Sequence, residues 1–244
     1  MYAARLTHGP VELAFTDRHG GVSGAPYDSL NLAWGGGDDP DALAENRRRL
    51  AHDFAPDDVV AYLHQVHGGE VVVADESAAT GWTPPPADAL VTTVPGVTLI
   101  VRAADCVPVL LADDEGRVIG AVHSGRPGLA ARVVPATVAT MRRLGAGRLT
   151  AWIGPHVCGL CYEVPEAMRD EVAAVEPASR ATTSWGTPSL DLGAGVRAQL
   201  ERESVEVVDL SRCTRESPDL FSYRRDGRES GRQAGIIRRT GGPR

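Results

Sequence analysis

The sequence predicts an α/β protein of the α+β kind, in which helices pack outside mixed β-sheets. Short apolar runs rich in valine outnumber the helical patterns, so sheets are expected to dominate the core. The runs do not alternate strictly with helices, as they would in a doubly wound parallel sheet. Neither GxGxxG nor GxxxxGK(S/T) occurs in the chain, so the sequence predicts neither a Rossmann fold nor a P-loop.

Segments with the length and β-branched content of strands recur along the whole chain. The DDEG tetrapeptide at 113–116 predicts a tight turn between two of them. The TPPPAD stretch at 83–88 is interpreted as a surface loop, because strand-like runs continue on both sides of it. The predicted strands are residues 11–16, 59–63, 71–74, 97–103, 107–112, 118–122, 149–153, 205–210 and 234–238.

Helical periodicity is clearest where start and stop signals flank it. Asp38 or Asp39 is a suitable N-cap for the first helix, and Gly145 a suitable end for the second. The WGGGDDP stretch at 34–40 lacks the P-loop lysine and is interpreted as a turn before the first helix. The predicted helices are residues 40–54, 129–144, 166–175 and 192–203.

Length and composition indicate one globular domain over residues 1–244, with no membrane or nucleic-acid partner. The net charge is −7, and the nearest candidates for a basic patch are 47–49 and 238–239, whereas a phosphate-backbone binder usually carries a basic stripe. No apolar run has the roughly 18 residues of a membrane span. The N-terminus lacks a signal-peptide pattern, which predicts a cytoplasmic protein whose four cysteines are reduced thiols. The sequence does not indicate an oligomeric state.

Three segments carry residues suited to catalysis. His64 and His67 lie three positions apart, and on a strand this spacing would point them to opposite faces. Cys106 follows Asp105 between two apolar runs, so it is expected at the end of a strand, where functional residues are common. His123 ends a strand before a Gly/Pro-rich turn that offers free backbone N–H groups.

One thiol and two imidazoles form an N,S,N ligand set. Such a set suits zinc, and three protein ligands leave the fourth tetrahedral position open. The spacing alone does not choose between the two histidines of the first segment. A metal-free pair of Cys106 as nucleophile and His123 as base is a chemically reasonable alternative.

Cys158 and Cys161 form a CxxC motif with His156 nearby. A structural zinc site would need a second ligand pair, and Cys213 is the only cysteine left outside the proposed centre. A thioredoxin-like role would need a redox fold that this sequence does not predict. We therefore expect the CxxC loop to line the active-site pocket.

Ordered motifs along nearly the whole chain resemble the YfiH family, also called the laccase-domain, multicopper polyphenol oxidase or purine nucleoside phosphorylase family. They are DRHGGVS (17–23), PYDSLNL (26–32), GDDP with ENR (37–47), HQVHG (64–68), ADCVPVLL (104–111), AVHSG (121–125), IGPHVCGLCYEV (153–164) and CTRESPDLFSYRRDG with GRQAGI (213–236).

The resemblance implies an αββα layered fold like that of certain toxin deamidases. It implies one zinc ion per chain on His67, Cys106 and His123, which are also the implied catalytic residues; copper is the less favoured metal. The implied activities are phosphorolysis of adenosine, inosine, guanosine and S-methyl-5′-thioadenosine, and deamination of adenosine. The implied partners are therefore purine nucleosides and phosphate.

The chain departs from the family pattern at one turn. The usual HAGWRG is HSGRPG here, so Arg126 is a candidate to replace the usual arginine as a phosphate ligand. Arg47 and His64 complete the candidate substrate-binding set, and Asp105 and His64 are candidate general acids or bases. The alternatives are a copper-dependent phenol oxidase, for which seven histidines are few, and a Cys106/His123 amidase that edits peptidoglycan precursors.

Overall fold

The computed structural model describes residues 1–240 and confirms a mixed α/β architecture. The strands are β1 (Tyr2–His8), β2 (Val11–Thr16), β3 (Val59–Ala61), β4 (Val71–Ala74), β5 (Ala89–Thr92), β6 (Val97–Ala103), β7 (Val107–Asp113), β8 (Ile119–Ser124), β9 (Leu149–Ile153), β10 (Arg180–Thr182), β11 (Pro188–Leu190), β12 (Glu206–Asp209) and β13 (Gln233–Arg239). The α-helices are α1 (Pro40–Phe54), α2 (Arg126–Ala130), α3 (Val133–Arg143), α4 (Glu166–Val175), α5 (Leu192–Arg202) and α6 (Tyr223–Asp226).

Two large mixed sheets form the centre of the protein. The first has five strands in the order β1-β2-β13-β6-β3, and the second has six in the order β12-β9-β7-β8-β5-β4. A separate two-stranded ribbon joins β10 and β11. Most neighbours are antiparallel, but β3–β6, β4–β5 and β12–β9 are parallel.

The alternation of side chains along the strands explains the layers. Leu110 in the second sheet packs with Leu99 and Val101 of the first, so the two sheets face each other across a shared apolar core. Leu111, the next residue in β7, instead packs with residues of α3 and α5. Ile100 in β6 packs with α1 on the far side of the first sheet. The order of layers is therefore helix, sheet, sheet, helix, as the family resemblance implied.

The first helix follows the predicted signals closely. Asp39 is the N-cap, its carboxylate accepts the N–H of Asp41, and Pro40 begins the helix without losing a needed donor. The buried face of α1 is formed by Leu43, Asn46, Leu50 and Phe54.

Two predicted elements are wrong in their extent. The predicted helix at 129–144 is two helices, because the chain turns into the left-handed region at Arg132, with φ of 60°. Pro135 in one continuous helix would clash with the carbonyl of Ala131, whereas the restart at Val133 places it in a first turn. The predicted strand at 59–63 ends at Ala61, and the carbonyl of Tyr62 accepts the indole N–H of Trp82 instead.

The sequence analysis missed β1, β5, β10 and β11. β1 is a half-exposed edge strand, so it lacks the apolar alternation that marks a strand with one buried face. β5 has only four residues and directly follows the TPPPAD loop. Among residues 1–240, no helix is both long and apolar enough to span a membrane.

Candidate metal centre

The strand register brings Cys106 and His123 together. β7 and β8 are antiparallel with Val107 opposite Ser124, so Cys106 at the start of β7 lies beside the end of β8, where His123 stands. Asp105 and Cys106 occupy the short crossing from β6 in one sheet to β7 in the other. His67 comes from the loop after β3 and has a left-handed backbone, with φ of 61°.

His67, Cys106 and His123 form one cluster, as predicted, and His64 is not part of it. Their ligand atoms all lie within 4.8 Å of one another. The rings of His67 and His123 meet edge to face, with centroids 4.8 Å apart. His123 is buried and Cys106 half-buried, whereas His67 is exposed at the opening.

Gly125 has no side chain, and the space that a side chain would need is occupied by the cluster. A Cβ at this position would lie 2.9 Å from Sγ of Cys106 and 2.9 Å from Cδ2 of His67. The φ of Gly125 is −84°, which any residue can adopt, so the requirement for glycine here is steric.

Asp88 is a site residue that the sequence analysis missed. Its buried carboxylate accepts Nδ1–H of His123 at 2.8 Å and the backbone N–H groups of His67 at 2.9 Å and Gly68 at 2.6 Å. The contact fixes the imidazole of His123 so that Nε2 faces Cys106. The only sequence signal was a carboxylate at the end of TPPPAD, directly before an apolar run.

The cluster is electrostatically coupled. Burial alone would raise the pKa of the Cys106 thiol, but the imidazoles of His123 and His67 outweigh burial and lower this pKa to about 6. Burial alone would lower the pKa of His123, but Cys106 and Asp88 raise it to about 9. Burial raises the pKa of Asp88, yet the hydrogen bonds from His123 and Gly68 bring it below the usual value. Thiolate and imidazolium therefore stabilise each other in the metal-free cluster.

The chemistry of the donor set fits a tetrahedral zinc ion. Zinc binds thiolate sulfur at about 2.3 Å and imidazole nitrogen at about 2.0–2.1 Å, which places neighbouring ligand atoms roughly 3.3–3.7 Å apart. The observed limit of 4.8 Å requires only a small contraction of the cluster. Asp88 supplies the carboxylate that metal-binding histidines usually hold at their second nitrogen.

A cavity of about 600 Å³ opens over the cluster, which is within the range of small-molecule sites. Two tyrosines, Tyr162 and Tyr223, line it, and Arg224 lies with its guanidinium 4.5 Å from the ring centre of Tyr162. The other lining residues are Gln65, His67, Arg102, Ala103, Ala104, Asp105, Cys106, His123 and Arg232.

Arg102 and Arg232 give the cavity a positive wall that the sequence analysis missed. Burial lowers the pKa of Arg102 to about 10, and the charges of Arg232 and Arg47 add to this effect. Nε of Arg102 is buried without a hydrogen-bond partner, and Nη2 donates to the carbonyl of Leu63. Both arginines also line an adjoining cavity of about 290 Å³. Two like charges held this close form a site suited to an anion.

Both carboxylate oxygens of Asp105 accept hydrogen bonds within the protein. One carboxylate oxygen accepts the hydroxyl of Thr214 at 2.5 Å, and the other accepts the N–H of Arg224 at 2.6 Å. Asp105 also has a left-handed backbone, with φ of 85°. Asp105 therefore joins three loops at the edge of the cavity, and its role as a general acid or base stays a prediction.

The candidate substrate ligands lie at three different places. Arg47 donates to the carbonyl of Ala33 and stacks on Trp34 at 4.0 Å, outside the metal cavity. His64 is exposed and lines the adjoining cavity. Arg126 begins α2 and is half-buried near Tyr162: burial raises the pKa of that phenol, and the charges of Arg224 and Arg126 oppose the rise.

The CxxC motif contributes to the cavity only through its neighbour. Tyr162, directly after Cys161, lines the cavity, whereas the two cysteines do not. They lie instead beside Cys213. The expectation that the CxxC loop lines the pocket is therefore met by Tyr162 and not by the two cysteines.

Comparison with known proteins gives consistent matches over nearly the whole chain. The model of the family described as "Multi-copper polyphenol oxidoreductase laccase" matches residues 12–240. A protein of Streptomyces coelicolor named purine nucleoside phosphorylase is 53% identical over 242 residues, which cover 97% of this chain and 99% of the relative. A Corynebacterium glutamicum protein with the same name is 49% identical over 233 residues, or 93% of this chain and 94% of the relative.

Solved structures share the fold. YlmD from Geobacillus stearothermophilus superposes with a TM-score of 0.86 at 30% identity, covering 96% of this chain and 93% of that one. The Neisseria meningitidis protein NMB0706 superposes with a TM-score of 0.85 at 34% identity, covering 97% and 99% of the two chains.

Proposed function

The chain belongs to the multi-copper polyphenol oxidoreductase laccase family, and from that premise we propose that it is a zinc-dependent purine nucleoside phosphorylase that also deaminates adenosine. We propose adenosine, inosine, guanosine and S-methyl-5′-thioadenosine as the nucleosides that it cleaves. Close relatives that bear the name purine nucleoside phosphorylase support the main activity.

The observation that carries the proposal is the position of the His67, Cys106 and His123 cluster at the wall of a cavity that also presents arginines and tyrosines. A nucleoside needs a flat apolar surface for its base, and phosphate needs positive charge and N–H donors. Both kinds of surface face the cluster here. A phenol oxidase with several coppers would need more metal ligands than the cluster offers.

His67, Cys106 and His123 would hold the zinc ion, and Asp88 would keep His123 in the ligating orientation. A zinc ion with three protein ligands supplies Lewis acidity at its open fourth position. Gly125 keeps the space beside Cys106 and His67 free of side-chain atoms.

The cavity residues would bind and orient the substrates. Tyr162 and Tyr223 offer ring faces for the purine. The guanidinium of Arg224 already packs against one face of Tyr162. Arg102 and Arg232 would hold phosphate on the side of the adjoining cavity, and Arg126 would add charge near Tyr162. In phosphorolysis a phosphate oxygen forms a bond to C1′ while the C1′–N9 bond breaks, and the base leaves with a proton.

A product assay combined with metal analysis tests the proposal. We expect zinc-loaded protein to convert inosine to hypoxanthine and ribose 1-phosphate only when phosphate is present. We expect adenosine to release ammonia without phosphate. His67→Ala, Cys106→Ala and His123→Ala should each lose the zinc of this centre and both activities. Folded, zinc-loaded protein that consumes no nucleoside, or stoichiometric copper in protein expressed without added copper, would contradict it.

A second candidate is a metal-free cysteine amidase acting on a peptide or cell-wall precursor. The hydrogen-bonded series from Asp88 through His123 to Cys106 favours it, because a carboxylate, an imidazole and a thiol in this order form a nucleophile with its base. Such an enzyme should work after the metal is removed by a chelator and lose activity when Cys106 is alkylated. The phosphorylase should instead lose activity with the metal and regain it when zinc is restored.

A further inference from the structure

Cys158, Cys161, Cys213 and Glu216 form a second cluster of potential metal ligands. Their sulfur and carboxylate oxygen atoms all lie within 4.8 Å of one another. Cys161 is buried, Cys158 and Cys213 are half-buried, and Glu216 is exposed. None of the four belongs to the centre formed by His67, Cys106 and His123.

Backbone hydrogen bonds set this arrangement. The N–H groups of Cys161 and Tyr162 both donate to the carbonyl of Cys158 at 3.0 Å, which curls the CxxC segment into a tight turn. The segment of Cys213 is held beside it by a bridge between His156 and Cys213, and the N–H of Thr214 donates to the carbonyl of His156 at 3.0 Å. Two segments that are distant in the sequence therefore present their thiols to one point.

A backbone N–H also donates a hydrogen bond to one of the sulfur atoms. The N–H of Cys158 points at Sγ of Cys213, with a separation of 3.5 Å. A thiolate accepts such a hydrogen bond better than a neutral thiol does, because charge strengthens it. The donor is thus placed to stabilise a sulfur that carries negative charge.

We propose that Cys158, Cys161, Cys213 and Glu216 bind a second zinc ion, separate from the catalytic one. Three thiolates and a carboxylate complete a tetrahedral set, and soft sulfur ligands select zinc over magnesium or calcium. A disulfide would use only two of the three thiols and would leave the third beside it. Four protein ligands close the coordination sphere, which is typical of a structural site.

This zinc would stabilise the loops that build the catalytic cavity. Tyr162, directly after Cys161, lines that cavity. Thr214, directly after Cys213, donates its hydroxyl to Asp105, and the N–H of Val157 donates to the carbonyl of Asp105 at 3.1 Å. Asp105 in turn precedes Cys106. The second ion would therefore hold the two loops that position Tyr162 and Asp105, without contact with substrate.

Metal counting in the full-length protein tests this site without any activity measurement. Reduced wild-type protein purified in zinc should contain about two zinc ions per chain. Cys106→Ser, which disrupts only the catalytic centre, should keep about one, and adding Cys213→Ser should remove it. Circular dichroism and thermal melts report whether each variant is folded.

Cobalt substitution gives a second readout that needs no cysteine of the cluster to be changed. Cobalt(II) bound by the Cys106→Ser protein should show the intense sulfur-to-cobalt absorption of several thiolates, together with tetrahedral ligand-field bands. Glu216→Gln in the same background should change the ligand-field bands and weaken metal binding while the sulfur absorption remains. Glu163→Gln, an exposed carboxylate outside the cluster, is the matched control and should change neither.

Three results would overturn the second site. The first is a zinc content of one ion per chain in the wild type together with none in Cys106→Ser. The second is a disulfide among the three cysteines in protein purified under reducing conditions. The third is a Cys106→Ser protein that shows no sulfur-to-cobalt absorption. None of these results depends on nucleoside turnover, so they are distinguishable from failure of the proposed nucleoside chemistry.

Discussion

The carboxylate of Asp88 holds the imidazole of His123 through a hydrogen bond of 2.8 Å, and the same carboxylate accepts the backbone N–H of His67. One buried acid therefore holds both histidines of the candidate metal centre, which come from segments far apart in the chain. Because Nδ1 of His123 is occupied, its Nε2 is the nitrogen that can face Cys106 and a metal.

Asp88→Asn should weaken zinc binding at the catalytic centre by roughly 10- to 100-fold, because the amide cannot accept all the N–H groups that the carboxylate accepts. Competition with a fluorescent zinc chelator, in protein whose Cys213 is replaced by serine, measures this affinity alone. Asp75→Asn is the matched control, since Asp75 accepts the N–H of Ser77 in an exposed turn of the neighbouring loop. Equal zinc affinity in the two variants would contradict the role of Asp88.

Gly125→Ala should abolish metal binding at the catalytic centre while the fold remains. The new Cβ would lie 2.9 Å from Sγ of Cys106 and from Cδ2 of His67, so at least one ligand must move. Gly35→Ala is the control, because a Cβ at Gly35 meets nothing within 4 Å. Metal analysis and a thermal melt of both variants check the outcome, and full zinc occupancy in Gly125→Ala would show that the cluster adjusts.

The sequence analysis identified the three candidate ligands but not the groups that orient them. His67, Cys106 and His123 stand in recognisable local patterns, next to strands whose apolar character is visible in the sequence. Asp88, Arg102 and Arg232 reach the site only through the packing of the two sheets and their connecting loops. Asp88 lies 35 positions from His123, and this contact depends on the pairing of β5 with β8. Spacing along the chain does not predict such a contact.

Local sequence patterns were also insufficient for the helix predicted over residues 129–144. Periodicity alone favoured one continuous helix, whereas Pro135 lies in the first turn of a second helix that begins at Val133. The continuous apolar runs of β6 and β7 were, in contrast, sufficient to predict both strands, because each strand faces a core on both sides.

The thiol of Cys106 in metal-free protein should react with iodoacetamide at neutral pH faster than an ordinary thiol. The imidazoles beside Cys106 overcome the effect of burial and lower its pKa to about 6, so the thiolate fraction rises with pH through about 6 and is nearly complete at pH 7. An unperturbed thiol with a pKa of about 8.5 is still mostly protonated there.

Mass spectrometry of the modified Cys106 peptide, from pH 5 to 9, checks this profile. His123→Asn should move the midpoint to higher pH, since it removes the positive charge that stabilises the thiolate. Saturating zinc should protect Cys106 in the wild type. A midpoint near 8.5 in the metal-free protein would show that the thiol and imidazole are not coupled.

Arg126 lies in the HSGRPG turn, and its replacement separates the two proposed reactions. Phosphorolysis needs an anion held beside the sugar, whereas hydrolytic deamination needs none. α2 has only five residues, so its dipole adds little and the side-chain charge must supply the attraction. A charge-assisted contact of this kind contributes about 1.5–3 kcal/mol, or roughly 10- to 150-fold in binding.

Arg126→Ala should therefore raise the KM for phosphate within that range and leave adenosine deamination nearly unchanged. Arg148→Ala is the matched control, because Arg148 is 73% exposed and pairs with Asp114 away from the cavity. Arg232→Ala, measured in parallel, shows whether the positive wall of the cavity binds the same phosphate. If it does, both variants should have a raised KM for phosphate, and neither should change the rate of adenosine deamination. If Arg126→Ala behaves like Arg148→Ala while Arg232→Ala loses phosphate affinity, the anion is bound at the wall formed with Arg102, and Arg126 takes no part in the site.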